Sequence, residues 1–394
     1  MDLPTRVHRR AEAQAHFGEQ AARVLPQLHC TDGLADAAVA CLNALDPAAA
    51  EDLLQRGVQG GPRAVPEAPE ALRACLEDAW KVPAWVDEAA CDEAGRLLFR
   101  SGVLGGMVLG TKSLVLGYAS PGGNKPLALS GRLSRPEYAG KRLAETAKFV
   151  TAVSEPGGMR PGALGHQITL RVRLMHARVR ALVLSSGQWR SEDWGHPINQ
   201  HDMLATILVF SAAFIEGIGQ LGVEVSNAEA DAYTHLWSRV GQVIGVQPDL
   251  LPGDAWQALR SAQLIELTQG PPDDDARALV SSYFEAPLLS AQGPEQRRQA
   301  RVRVAMGQAI AKYLLGDELA LQLGLHDVRG AGLPAVVSNL VGGAERIRRL
   351  SPRANAWAVR RGREHWAEAV RLGLAGGVAD FVLPQQLMGR LQAA

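Results

Sequence analysis

Cysteine is scarce in this chain and aromatic residues make up only 5% of it. The four cysteines, Cys30, Cys41, Cys75 and Cys91, form no CxxC pair. That spacing supports neither a zinc site nor a disulfide-stapled secreted domain, and it fits reduced thiols in a cytoplasmic protein. A charge excess of either sign is also lacking, with 41 basic residues against 41 acidic ones. Without a basic surplus, binding to a nucleic-acid backbone is not indicated. Long hydrophobic runs are missing too. The most apolar stretch, residues 102–118 (GVLGGMVLGTKSLVLGY), falls short of the ~20 residues a spanning helix needs, and Lys112 interrupts it. It reads as a buried core helix, and membrane association is not expected. The N-terminus (MDLPTRVHRRAEAQAHFGEQ) carries basic residues but no apolar h-region, so no secretory signal is read and the expected location is the cytoplasm. No P-loop, no GxGxxG after a strand, no HExxH and no GxSxG occurs.

What is present points to helices. Hydrophobic residues at 47% and charged residues at 21% suit a folded globule with a large core. Alanine, leucine and valine dominate, and alternating β-branched segments are few, so an all-α fold is predicted. Proline- and glycine-rich breaks divide the chain. They predict helices over 70–80, 87–99, 102–118, 136–153, 163–186, 201–221 and 227–243. The stretch 57–69 (GVQGGPRAVPEAP) reads as a loop. It divides an N-terminal helical cap, residues 1–69, from a main body, residues 70–394.

Of the ten histidines, His166, His176, His196, His201 and His235 lie among the middle helices. His176, within TLRVRLMHARVRALVL, sits beside a stripe of Val172, Met175, Val179 and Val183. A neutral imidazole aimed into an apolar pocket suits an axial ligand of haem iron. Nearby arginines, Arg173 among them, suit the propionates. A core histidine with both ring nitrogens hydrogen-bonded accounts for the same pattern, and periodicity alone favours it. In KRLAETAKFV, Arg142 and Thr146 share a helical face, with Phe149 one turn on. A cation and a hydroxyl projecting together into a cavity can hold bound oxygen or polarise a carbonyl. A solvated face with Arg142 paired to Glu145 is the plainer account. His196 and His201 flank PINQ, with Asp202 adjacent, but further metal ligands at recognisable spacing are lacking.

Taken together, GRLSRPEYAGKRLAETAKFV, PGGMRPGA, RVRLMHARVR and WGHPINQHDMLAT, in this order, resemble the latex-clearing-protein and MpaB-type oxygenases. The resemblance covers about residues 100–255, and the remainder more weakly. It implies a globin-like helical core with flanking helices and a b-type haem. It further implies His176 as the proximal iron ligand, Arg142 and Thr146 on the distal side, and Thr206, in MLAT, near the pocket. Two departures stand out. Glu145 occupies the place of a lysine in the latex-clearing enzymes, leaving Lys148 and Lys112 as the lysines that could reach the iron. The NKPLALS segment near Pro126 holds no acid where those enzymes carry a glutamate base. The secretion signal of the rubber-degrading members is missing as well. The implied function is a haem b-dependent, dioxygenase-type oxygenase acting on a hydrophobic small molecule, with oxidative C=C cleavage as the family chemistry. The alternative is a haem-based oxygen or redox sensor without turnover. Expected partners are the hydrophobic substrate and dioxygen.

Overall fold

The computed structural model describes residues 2–130, 136–326 and 332–374, with the side chains of residues 130, 136–142 and 333 left out. Among the described residues every regular element is helical, and the only β pairing is an isolated bridge between Val7 and Gln269. The fold is all-α, as the composition predicts. Its N-terminal helices are α1 (Arg10–Phe17), α2 (Glu19–Val24), α3 (Gly33–Asn43), α4 (Pro47–Gly60) and α5 (Glu70–Trp80). The long apolar segment forms α6 (Glu88–Val108), a wide π-turn (Leu109–Ser113) and α7 (Leu114–Ala119). The middle comprises α8 (Lys125–Ser130), α9 (Pro136–Ser154), α10 (Leu164–Ser185), α11 (Ser191–Trp194), α12 (Gln200–Phe210), α13 (Ala212–Gln220), α14 (Asn227–Val243) and α15 (Ala255–Thr268). The C-terminal part holds α16 (Asp274–Leu289), α17 (Gly293–Leu315), α18 (Asp317–Gln322), α19 (Leu333–Arg349) and α20 (Pro352–Gly373).

Local chemistry sets many of these boundaries. Asp46 caps α4 by accepting from the amides of Ala48 and Ala49, with Pro47 in the first turn. Asp87 caps α6 in the same way. Ser226 and Glu229 form a reciprocal capping box on α14, which is why Asn227 opens that helix where the sequence predicts it. Two boundaries differ from expectation. Residues 57–60, read as loop, are the last turn of α4, where Gly57 lies against Leu76 of α5. The helix predicted over 201–221 breaks at Ser211, whose φ of −106° and ψ of −81° leave the helical region.

The core is continuous across residue 69, running from Val7 to Trp366. α3 packs on α5 and α10, so the N-terminal helices share the main body's core. α6 is the central strut, sheathed by α20, α14 and α9. By length and composition, Glu88–Ala119 and Gln200–Gln220 are long and apolar enough to cross a membrane. Both contribute to the core, with 44% and 50% of their most apolar stretches buried, so residues 102–118 are only in part the buried helix that the sequence predicts. Gly102, at φ +49°, bends α6 between the two helices predicted over 87–99 and 102–118. Gly95 lies flush against the Ser154 carbonyl of α9, and Gly362 of α20 against the Phe99 carbonyl, leaving no room for a Cβ at either position.

Candidate active site

α9 and α10 are joined by a tight Gly/Pro turn. Gly165 nestles against the backbone of Ala152, Val153 and Gly158, so the start of α10 folds back along the end of α9. The two helices pack against each other. α9, which carries Thr146, thus packs beside α10, which carries His176. Arg142 lies on α9 as well, but its side chain is outside the described residues.

α10 has two distinct faces. One, holding Leu170, Arg173, Leu174, Ala177 and Arg180, is buried. The other, holding Val172, Met175, His176 and Val179, is half-buried, and the Nδ1 atom of His176 is shut off from solvent. The imidazole therefore stands beside Val172, Met175 and Val179 of the predicted stripe, whereas Val183 is fully buried and Arg171 and Arg178 are half-buried as well.

Arg173 has a different task from the one expected. Its Nε and Nη2 donate to the two carboxylate oxygens of Asp32 at 2.6 and 3.0 Å, and its Nη1 donates to Asp78 at 2.7 Å. Arg173 and Asp32 are only 2% and 5% exposed, whereas Asp78 is partly exposed. Burial alone would lower the guanidinium's pKa, but Asp32 and Asp78 hold it above its ordinary value. With all three donor nitrogens committed, Arg173 ties α10 to the N-terminal helices and is not available to neutralise propionates. Arg180, two turns on, does the same through Asp36 at 2.7 Å and the Ile198 carbonyl at 2.7 Å.

Thr206 is exposed on α12, its hydroxyl donating to the Asp202 carbonyl one turn back at 2.8 Å. One turn further along the same helix, Phe210 stacks on Trp237 of α14 at 4.7 Å between centroids. Phe149 of α9 meets both rings edge-on, at 6.3 and 5.9 Å. Thr146 precedes Phe149 by three residues, just under one helical turn and ~4.5 Å of rise. The two threonines thus sit one turn from the same aromatic wall. The sequence reading found Phe149 but missed Phe210 and Trp237. They lie 61 and 88 residues from Phe149 in the chain, and no local periodicity joins them.

The remaining histidines disperse. His166 is fully buried in a polar-satisfied niche: its Nδ1 accepts from the Gly162 amide at 3.3 Å, so Nε2 carries the proton and donates to the Ala79 carbonyl at 3.1 Å. Burial lowers its pKa to about 4. His235 accepts from the Asp87 amide at 2.9 Å. His201 pairs with Asp202, whose carboxyl would be raised by burial but is held well below the usual range by Arg6 and His201. His196 is held through its backbone amide to the Leu28 carbonyl. Lys112 is committed to Gln220 and Glu216 of α13 at 2.9 and 3.0 Å, which removes it as an iron ligand. Among the described residues no three His, Cys, Asp or Glu side chains converge as a metal-binding group. Among the described residues, His176 thus supplies an imidazole from the half-buried face of α10 without a converging set of His, Cys, Asp or Glu side chains. It fits a metal that brings its own equatorial ligands, as haem does.

A model of the catalytic domain described as ER-bound oxygenase mpaB/B'/rubber oxygenase matches residues 99–346, well over half of the chain. The chain belongs to this oxygenase family. The rubber oxygenase of Streptomyces sp. (strain K30) is 27% identical over 268 residues, which is 65% of this chain. The match spans 61% of that enzyme's length, less than two thirds of it. A solved structure of latex clearing protein LCP in the closed state aligns with a TM-score of 0.63 at 22% identity. That alignment covers 93% of this chain and 94% of the other, so the family fold extends well beyond the matched catalytic segment.

Proposed function

We propose that this protein is a haem b-dependent, dioxygenase-type oxygenase that cleaves a C=C bond in a hydrophobic substrate. The carrying observation is His176 on the half-buried face of α10, a helix packed beside α9, in a chain of an oxygenase family. The Streptomyces relative's name, rubber oxygenase, supports an unsaturated hydrocarbon as the substrate class.

His176 would hold the haem as its protein ligand, and Arg142, Thr146 and Thr206 would line the pocket. Bound haem supplies dioxygen binding and electron-transfer chemistry. The chain's own residues do the rest. The aromatic wall of Phe149, Phe210 and Trp237 excludes water and gives an alkene an apolar seat. The Thr146 hydroxyl orients a polar oxygen, and the Arg142 guanidinium donates hydrogen bonds to developing negative charge. Neither Glu145 nor the NKPLALS segment repeats the lysine and glutamate of the latex-clearing enzymes, so proton handling differs from theirs. A small hydrophobic alkene, rather than the polymer, is the proposed substrate. The proposed location is the cytoplasm, where the four free thiols stay reduced. Burial pushes two of them, Cys75 and Cys91, up to about 12.

The test is a visible spectrum of purified protein followed by oxygen uptake with a soluble isoprenoid alkene. A haem Soret band with alkene-dependent oxygen consumption is the expected result. A Soret band without consumption would instead assign the chain to oxygen or redox sensing, and no band would end the proposal.

A further inference from the structure

The chain's zero net charge conceals a strongly basic end. Residues 333–373, which make up α19 and α20, contain eight arginines and three glutamates. α19 also carries an apolar stripe that faces outward. Val336, Leu340, Ile347 and Leu350 are 57%, 71%, 70% and 85% exposed, and their spacing puts them on one face with Gly343. The opposite side of α19, through Pro334 and Ser338, faces the body, where the Ser338 hydroxyl donates to the Gln220 carbonyl at 2.9 Å. The turn at Leu350–Ser351 leads into α20, whose second turn presents Trp357, 56% exposed.

Cations frame this corner. Arg346 is 82% exposed and only loosely held by Glu224 at 3.9 Å. Arg353 and Arg360 are exposed and make no ion pair among the described residues. Further along α20 the two exposed glutamates, Glu364 and Glu368, are each neutralised by Arg361 and Arg371. The surface is therefore apolar at its centre, positive at its rim and tipped by an indole. Large apolar side chains exposed together and rimmed by polar residues mark an interaction surface. Its charge excludes a basic partner and selects an acidic one.

We infer that the α19–α20 corner is a docking surface for anionic lipid. Leu340, Ile347 and Leu350 enter the headgroup boundary, Trp357 settles at that interface, and Arg346, Arg353 and Arg360 meet lipid phosphates. This is a helix lying on a bilayer. It is distinct from the spanning helix that the sequence reading weighed from residues 102–118. α20 meets Ala144 of α9 through Gly373, whereas the corner lies at the opposite end of α20, about 24 Å away by helical rise, so lipid binding and oxygen uptake report separately.

Full-length protein floated with phosphatidylcholine vesicles, with and without phosphatidylserine, tests the assignment. Binding to the anionic vesicles that weakens with salt is expected. The double substitution Ile347→Glu/Leu350→Glu should abolish it, and Arg346→Glu/Arg353→Glu should weaken it by at least roughly tenfold. Both variants should keep the parent's circular dichroism and thermal midpoint, since all four side chains point to solvent. Failure of the parent to float with anionic vesicles would overturn the inference, as would flotation unchanged in both variants. Sedimentation velocity covers the rival occupant. A dimer that Ile347→Glu converts to monomer, without vesicle binding, would make this face a contact between two copies and refute the lipid assignment.

Discussion

At the scale of single residues, the site depends on which face of α10 each side chain takes. His176→Ala should yield folded protein whose Soret band is lost or shifted, read by absorbance against the parent. Arg142→Ala should keep the band but slow alkene-dependent oxygen uptake by roughly a hundredfold, the scale of losing one oriented donor. Unchanged uptake would remove Arg142 from the chemistry. The apolar stripe beside His176 was readable in advance because helical period and residue type suffice for it. The fate of Arg173 was not. Its partners, Asp32 and Asp78, lie 141 and 95 residues away in the chain. Periodicity reports the direction of a side chain and says nothing of what meets it. His166 shows the same limit: it lies on the same helix as His176, yet its two ring nitrogens are spent on Gly162 and Ala79.

At the scale of elements, helix ends were predictable wherever the stop or start signal is local, as at Asp46, Asp87 and Ser226. The break at Ser211 carries no proline or glycine, and only the packed fold reveals it. Close crossings were equally hidden, because Gly95 and Gly362 look like ordinary helix-weakening residues until a neighbour's carbonyl is placed against them. Gly95→Ala should therefore destabilise the protein although alanine favours helix. The loss is expected to be on the order of 1–3 kcal/mol, the scale of overpacking, measured by denaturant unfolding. Arg173→Leu leaves the carboxylate of Asp32 buried without its cation and should cost about 3–5 kcal/mol. The double variant Asp32→Asn/Arg173→Leu should recover part of that loss. Both should retain the parent's Soret band if Arg173 is a tie between helices.

At the scale of the whole molecule, acid sensitivity follows from His166. Its folded pKa of about 4 lies below the unfolded value near 6.5. Above pH 6.5 the ring is neutral in both states and its contribution is fully present. As the pH falls from 6.5 towards 4 the unfolded chain takes up a proton that the folded chain refuses, and stability declines. The loss is on the order of 3 kcal/mol across that window. In His166→Gln the decline between those pH values should be shallower, even if the variant is less stable at neutral pH.

The seat of Gly362 against Phe99 has a bearing on biosynthesis. The central strut acquires its outer lining from a helix that is translated long after it. Until α20 arrives, the segment that carries Thr146 lacks one of its flanking walls, because α20 packs on α9 as well as on α6. Completion of the fold thus waits on the synthesis of α20, and the nascent chain passes through a stage in which this side of α9 is uncovered.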